Sequence, residues 1–361
     1  MVIYERDNKF SNFLMPALAS VSGFLILLVL QLVVSIPAVM IASSITGLPE
    51  EEAEHLLNLL VLFGSQILGA IAVYFLLVPF FRVKQASNAP ITRSAFIQTF
   101  YLICLTWGLI IAKNLISVPI LEALNAETPV TGTEVLILPE NMINPLNVLI
   151  LLLPVTIGAP LFEELLYRRT LIPLLEDRGM SPFSAVVTST LFFTFIHLPA
   201  DLINGNITGT ILHITSVVLL GFAVGVSYVL TRNVLYPMII HGSLNGVSAI
   251  LTIVQYDEDL LNIWLLFNYS IVLVGLIVAA RMIWKYIRKD ETEYSTTLTE
   301  RSRVNIYPGF TGFCVISMGL VTLHTIFLVI TPIFTILAVS PIGLLVLVAV
   351  ILNMEYETEQ D

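Results

Sequence analysis

The sequence has few charged residues and very little cysteine. Only 12% of its 361 residues are Asp, Glu, Lys or Arg, whereas 57% are hydrophobic. So little polar surface cannot cover so large an apolar core, which excludes a soluble globular protein and predicts a polytopic membrane protein. The only two cysteines, Cys104 and Cys314, both lie in apolar stretches and indicate neither a disulfide framework nor a cysteine-based metal site.

Basic residues are scarcer than acidic ones, with 16 Lys and Arg against 26 Asp and Glu, and the net charge is −10. Nucleic acids are bound mainly by Lys and Arg side chains that neutralise phosphates. The acidity therefore argues against a nucleic-acid partner, and the composition points to membrane lipids instead.

Long apolar runs are abundant, and about 20 apolar residues cross the roughly 30 Å hydrocarbon core of a bilayer as one helix. They predict an all-α fold, a polytopic transmembrane helical bundle with about ten spans. The eight spans of the predicted core cover residues 14–45, 56–81, 95–121, 145–175, 183–198, 207–230, 234–253 and 261–283. The fourth run contains Pro154, Gly158 and Pro160, so we expect either a kinked helix or a re-entrant segment.

Three parts follow along the chain. Residues 1–284 form the transmembrane core, residues 285–310 a charged linker, and residues 311–361 a second pair of spans with an acidic tail. Thirteen of the 16 basic residues lie on the side of the membrane that holds the N-terminus, and the other three lie within spans. Since cytoplasmic loops retain positive charge, we predict a multi-pass protein of the cell membrane with both termini cytoplasmic.

One stretch of the fourth span, residues 161–169, interrupts the apolar pattern with Glu163, Glu164, Arg168 and Arg169. An ionisable side chain at the centre of a membrane helix costs roughly 2.5–3.5 kcal/mol, so such a cluster indicates a functional site. The other reading is a helix end at the lipid headgroups. However, the first plausible turn is at residues 177–182, which places the glutamates about four helical turns inside the span.

Two later helices carry polar residues at a similar predicted depth. Glu163 and His197 are each 17 residues from Met180, so an antiparallel helical hairpin places them at the same level. His241 and Asn245 share one face of a third helix. Burying four such groups at one depth has no packing purpose and costs desolvation energy, which predicts that Glu163, His197, His241 and Asn245 form a site.

The remaining polar residues in the spans are predicted to be structural. Glu164 and Arg168 have the spacing of an intrahelical ion pair. His213 and His324 have no polar company and are expected to pack between helices. Lys113 has no evident partner in the sequence, and a glutamate of the site is one candidate.

Three motifs occur in order on separate predicted helices: Glu163-Glu164-x-x-x-Arg168, Phe193-x-x-x-His197 and His241-x-x-x-Asn245. Together they resemble the CPBP family of intramembrane proteases, which includes CAAX prenyl endopeptidases and bacteriocin-processing or immunity proteins. The resemblance covers residues 145–247. Arg169 departs from it, because many relatives have glycine after the motif arginine.

The resemblance implies that Glu163 is a general base that polarises a water molecule together with His197. It also implies that His241 and Asn245 stabilise the oxyanion formed at a peptide carbonyl, while Glu164 and Arg168 brace the helix. The implied substrate is a peptide or a membrane protein. A prenylated C-terminus, a leader peptide and a membrane-anchored regulator all remain open.

A metal site is an alternative reading of the same residues. Glu163, His197 and His241 could bind Zn²⁺ and leave one position for water, as in zinc peptidases. We favour no metal cofactor, because these ligands come from three separate helices without an H-E-x-x-H pair.

The predicted function is therefore an intramembrane endopeptidase that cuts near the cytoplasmic side of the membrane. An ion- or proton-coupled transporter would also place ionisable residues in spans, although no inverted repeat is visible. A non-catalytic scaffold or immunity protein that kept the motifs without turnover is the third class considered.

Overall fold

A computed structural model of the chain describes residues 9–42, 50–83, 89–123, 138–203 and 207–287. All long regular elements in these ranges are helices, here labelled in chain order. The helices are α1 Lys9–Ala42, α2 Glu50–Ala72 with its continuations Val73–Leu77 and Val78–Phe80, α3 Arg93–Ala123, α4 Pro145–Glu176, α5 Pro182–Ile203, α6 Ile207–Thr231, α7 Leu235–Val254 and α8 Glu258–Ile287.

Within the described residues, seven helical stretches are long and apolar enough to cross a membrane. The apolar helix Pro182–His197 is shorter than these seven. The prediction of a polytopic all-helical bundle is confirmed in outline, but the number of ten spans is not. Residues 288–361, which include most of the predicted linker, the C-terminal pair, Cys314 and His324, lie outside the described residues. The division into three parts therefore stays a prediction.

Helix α4 is continuous from Pro145 to Glu176, in place of the re-entrant segment that the sequence left open. It contains two π-helical segments, Leu153–Gly158 and Leu165–Leu171. Proline removes one backbone donor and clashes with the preceding turn, and a widened π turn accommodates both effects. The helix ends before Gly179, whose φ of +89° closes the turn that precedes α5.

The chain divides into two compact units. The first unit contains α1, α2, the start of α3, α4, α7 and the start of α8. The second unit contains the rest of α3, α5, almost all of α6 and the rest of α8. Glu163 and His241 thus belong to the first unit, and His197 belongs to the second.

In the first unit, apolar clusters hold both ends of α4. Near its start, Leu151 packs in a buried cluster with Leu59 and Met142. Near its end, Leu174 packs in a second buried cluster with Val78. Lipid chains are as apolar as these side chains, so close packing rather than removal from water makes these clusters hold the helix on either side of its charged middle.

The beginning of α7 is tied to the end of α4 by an arginine fork. Arg232 donates through two nitrogens to the two oxygens of Glu176, at 2.6 and 2.7 Å. A few residues later, the Tyr236 hydroxyl accepts a hydrogen bond from the Thr92 backbone N–H at 2.9 Å. These contacts join the start of α7 to the end of α4 and to Thr92, just before α3.

In the second unit, Lys113 has neutral partners. Its Nζ donates to the backbone carbonyl of Leu212 at 2.7 Å and to the Ser216 hydroxyl at 2.6 Å. The sequence offered a glutamate of the site as one candidate for this role. The acceptors in the structure are instead a carbonyl and a hydroxyl of α6. Both groups are uncharged, so a search of the sequence for an acidic partner could not find them.

Candidate active site

Helices α4 and α7 bring three ionisable side chains together in the first unit. His241 Nδ1 lies 2.8 Å from Glu164 Oε1, and His241 Nε2 lies 3.7 Å from Glu163 Oε2. The side chains of Glu164, His241 and Glu163 are 0%, 3% and 13% exposed. The imidazole thus lies between two adjacent glutamates and turns one ring nitrogen toward each of them.

Glu164 is bonded on both sides. Arg168 Nε lies 3.1 Å from Glu164 Oε2, with neither side chain exposed, while His241 occupies the other carboxylate oxygen. The pair has the i, i+4 spacing apparent in the sequence, but the contact with His241 is not apparent there. A buried ion pair is tolerated only when the remaining lone pairs and protons are also satisfied, and His241 fulfils that condition for Glu164.

The four buried groups can balance their charges in two ways. Two ionised glutamates are balanced by Arg168 and by a His241 that carries protons on both ring nitrogens. The total is also zero when Glu163 holds a proton and the imidazole is neutral. Because a net charge is costly in a low-dielectric interior, both arrangements are favoured over charged alternatives. They differ only in whether one proton lies on Glu163 or on His241.

Asn245 reaches the π-helical part of α4. Its Nδ2 donates to the backbone carbonyl of Val155 at 3.0 Å. In a π-helical turn, each carbonyl accepts a hydrogen bond from the N–H five residues later. For Val155 that residue is Pro160, which has no N–H, so the Val155 carbonyl lacks its usual donor. Asn245 supplies one donor there. An asparagine amide has two N–H groups, so the same side chain carries a second donor for another acceptor.

The approach of α7 to α4 requires glycine at position 242. A Cβ atom at Gly242 would collide with the backbone carbonyl oxygen of Thr156. One turn later, a Cβ at Gly246 would lie 3.0 Å from Thr156 Cγ2. The missing side chains let the two backbones come close enough for His241 and Asn245 to contact α4.

Gly242→Ala is therefore expected to lower the stability of the folded chain by about 1–3 kcal/mol, the usual cost of overpacking. The matched control is Gly64→Ala on α2, where a Cβ would lie 3.6 Å from Val34 Cγ1, an ordinary contact. Thermal unfolding of both variants in detergent measures the difference. Equal shifts of the two midpoints would contradict a backbone collision at Gly242.

His197 lies on α5 of the second unit. Its Nδ1 is 2.9 Å from the carbonyl oxygen of Phe193, so a neutral ring that donates there has Nε2 as its acceptor. The ring centroid of His213, on α6, is 6.1 Å away in an edge-to-face arrangement. The expectation that His213 lacks polar company is thus wrong. His197 and His213 are each eight residues from position 205, between α5 and α6. This equal spacing could have predicted that the two histidines lie at the same depth on neighbouring helices.

The predicted site residues thus fall in both units. Glu163 and His241 face each other directly, and Asn245 holds the same α4 helix at Val155. His197 belongs to the second unit. Among the described residues, no three His, Cys, Asp or Glu side chains are placed to hold a metal ion. The zinc ligand set Glu163, His197 and His241 stays a prediction.

Seven candidate spans among the described residues and a buried acid–histidine cluster on two of the helices define the class: a multi-pass helical membrane protein. Residues 145–247 match the model of the family described as type II CAAX prenyl endopeptidase Rce1-like. This match confirms the resemblance to the CPBP, or CAAX protease, family over these residues. Comparison with curated proteins and with solved structures finds no match.

Proposed function

We propose that this chain is an intramembrane endopeptidase of the CAAX type that hydrolyses a peptide bond near the cytoplasmic side of the membrane. The observation that carries the proposal is the 3.7 Å separation of His241 Nε2 from Glu163 Oε2. That separation exceeds a direct hydrogen bond, and a water molecule about 2.8 Å from both atoms would bridge them. Glu163 Oε2 is buried and has no hydrogen-bond partner among the described residues, and a bound water would satisfy such an atom.

In the proposed mechanism, Glu163 takes a proton from this water as the water oxygen attacks the peptide carbonyl carbon. General base catalysis of this kind contributes about 10²–10⁴-fold to the rate. The carbonyl oxygen becomes an oxyanion that accepts hydrogen bonds from His241 Nε2–H and from the second N–H of Asn245. Glu163 then protonates the leaving amine as the C–N bond breaks.

The charge balance of the cluster suits this sequence of steps. At the start, ionised Glu163 and doubly protonated His241 balance each other, as do Glu164 and Arg168. When Glu163 becomes neutral, the oxyanion carries the negative charge that it lost. The total charge of the buried groups thus stays at zero, which avoids the cost of creating a net charge in a low-dielectric site.

Glu164 is proposed as a positioning residue. Its bond to His241 Nδ1 fixes the imidazole so that Nε2 faces Glu163. The role that the resemblance gives His197, polarisation of the water, stays a prediction, because His197 lies in the second unit. The zinc alternative is likewise untested, and no step above requires a metal.

The proposed substrate is a peptide segment of a membrane-associated protein. The family name supports a protein or peptide substrate in a membrane, with a prenylated C-terminus as one candidate. Leader peptides and membrane-anchored regulators are the others. The family match does not favour the transporter or the non-catalytic scaffold. The distribution of basic residues supports cytoplasmic termini in the cell membrane.

Mass spectrometry of protein termini tests this function directly. Membrane fractions from cells that express the wild-type chain are compared with fractions from cells that express Glu163→Gln at the same level. We expect new termini only with the wild-type chain, and their sequences identify the substrate. The same new termini in both fractions would reject hydrolysis at this site.

Asn245→Ala is expected to lower kcat/KM for a cleaved peptide by about 10²–10³-fold, the usual effect of losing one oxyanion donor. Asn245→Asp has nearly the same shape, but its carboxylate cannot donate to the Val155 carbonyl, so its loss should be at least as large. Ser243→Ala on the same helix is the matched control and should retain activity. If Asn245→Asp cleaves the peptide at the wild-type rate, the Asn245 amide has no role in the mechanism.

A further inference from the structure

An apolar groove lies on the surface of the first unit, between α1 and the end of α2. It has a volume of about 410 Å³ and is lined by Ser22, Phe75, Leu76, Leu77, Phe80 and Phe81. Phe75, Leu76 and Phe80 are all exposed. On a membrane-spanning helix, exposed side chains of this kind lie against lipid acyl chains, so the groove is open to the bilayer.

Two arginines are neighbours of this part of α2, although neither lines the groove itself. Arg82 directly follows Phe81 and is exposed. The guanidinium carbon of Arg169 lies 5.5 Å from the ring centroid of Tyr74, which precedes Phe75. A cation over a tyrosine face gains about 0.5–1 kcal/mol at exposed sites, so this contact orients a half-buried Arg169 toward the tyrosine.

The depth of Arg169 matches a lipid headgroup. It lies seven residues before Glu176, where α4 ends, which corresponds to about 10 Å along the helix. An arginine side chain at that depth extends toward the interface and keeps its charged group near the headgroups. Tyrosine is also enriched at this level of membrane proteins, which fits the position of Tyr74.

We propose that this groove binds an anionic phospholipid, with the lipid phosphate at Arg169 and Arg82 and an acyl chain along Phe75, Leu76 and Phe80. The planar guanidinium group matches phosphate oxygens in a two-point hydrogen-bonded geometry. A zwitterionic headgroup has an ammonium group of its own beside the phosphate, which competes with the arginines. The site therefore selects lipids with a net negative headgroup.

The lipid site is connected to the catalytic cluster through the chain. Arg169 directly follows Arg168, the partner of Glu164, and both belong to the π-helical segment Leu165–Leu171. A lipid phosphate on Arg169 holds this segment in place and thereby supports the Glu164–His241 contact. It follows, on the basis of the proposed function, that anionic lipid raises proteolytic activity.

Lipid binding is tested with the purified full-length chain in nanodiscs that contain phosphatidylglycerol and phosphatidylcholine with identical acyl chains. Native mass spectrometry after release from the nanodisc measures which lipid is retained. We expect the wild-type chain to retain phosphatidylglycerol preferentially. Arg169→Gln and Arg82→Gln should each reduce that preference about fivefold, the ratio that corresponds to about 1 kcal/mol per basic residue near a membrane surface.

Arg93→Gln is the matched control, because Arg93 is exposed at the start of α3 and neither it nor its neighbours line the groove. It should leave the preference unchanged. An equal loss in Arg93→Gln, or no loss in both Arg82→Gln and Arg169→Gln, would overturn the lipid site. Arg82 is exposed, so its variant remains informative even if Arg169→Gln does not fold.

The binding measurement does not depend on proteolysis. Glu163→Gln should keep the full preference for phosphatidylglycerol, because Glu163 is outside the groove. If this variant retains lipid selectivity while the wild-type chain cleaves no peptide, the proposed function fails and the lipid site stands. If cleavage occurs with equal rates in both lipids and without selective retention, the lipid site fails and the function stands.

Discussion

Glu163→Gln is expected to reduce kcat/KM for a cleaved peptide by about 10³-fold or more while the chain remains folded. Glutamine has nearly the shape of glutamate but cannot take a proton from water, so the general base is lost. The variant also removes the negative charge that balances a doubly protonated His241. A neutral imidazole that donates from Nδ1 to Glu164 no longer donates from Nε2, so one oxyanion donor is lost as well.

The folded state should survive this substitution because the buried charges still balance. Glu164 and Arg168 remain paired, and His241 becomes neutral. Initial rates of peptide cleavage and thermal unfolding, both with purified protein in detergent, measure the two expectations. Glu176→Gln is the control on the same helix, because it alters a partly exposed ion pair with Arg232. Cleavage by Glu163→Gln at the wild-type rate would contradict the proposed function. The same cleavage assay, with the wild-type chain after chelator treatment, tests the zinc alternative.

Arg168→Met is expected to cause the largest loss of stability, about 3–5 kcal/mol. This is the usual consequence of leaving one member of a buried ion pair without its partner. Neither Arg168 nor Glu164 has an exposed side chain, so water cannot replace the lost contact. The midpoint of thermal unfolding in detergent is the measurement.

A double variant separates charge balance from catalysis. Glu164→Gln together with Arg168→Met removes both charges and should recover much of the stability lost in Arg168→Met. Peptide cleavage should stay low, because a neutral amide stabilises doubly protonated His241 less than a carboxylate does. The control Arg232→Met disrupts an ion pair whose side chains are 27% and 20% exposed, and it should cost at most about 1 kcal/mol. No recovery in the double variant would contradict the role of charge balance.

The positions of the helices follow closely from the apolar runs. The predicted spans 207–230 and 234–253 correspond to helices Ile207–Thr231 and Leu235–Val254. A segment in lipid must satisfy its own backbone hydrogen bonds, so the length of an apolar run nearly fixes the length of a helix. The course of α4 could not be predicted in this way. Pro154 and Pro160 indicate an irregularity, but a continuous helix also needs outside donors such as Asn245.

Counting residues from the predicted turn paired Glu163 with His197, and the i, i+4 spacing on a third helix added His241 and Asn245. The structure places Glu163 and His241 3.7 Å apart. The count did not reveal that Glu164 contacts His241. Adjacent residues on a helix point about 100° apart, and the sequence gives Glu164 an obvious partner in Arg168. Only the close approach of α7 at Gly242 places one imidazole within reach of both carboxylates.

Hydropathy and residue spacing are local properties, so the apolar runs and the three spaced motifs were enough to predict a helical membrane protein that resembles the CAAX proteases. The tertiary structure decided how those motifs act on each other: that Glu164 orients His241, that Asn245 replaces a backbone donor lost at Pro160, and that Lys113 bonds to neutral groups. Hydrogen-bond partners of this kind depend on how closely two helices approach. That distance is set by backbone contacts between residues far apart in the chain.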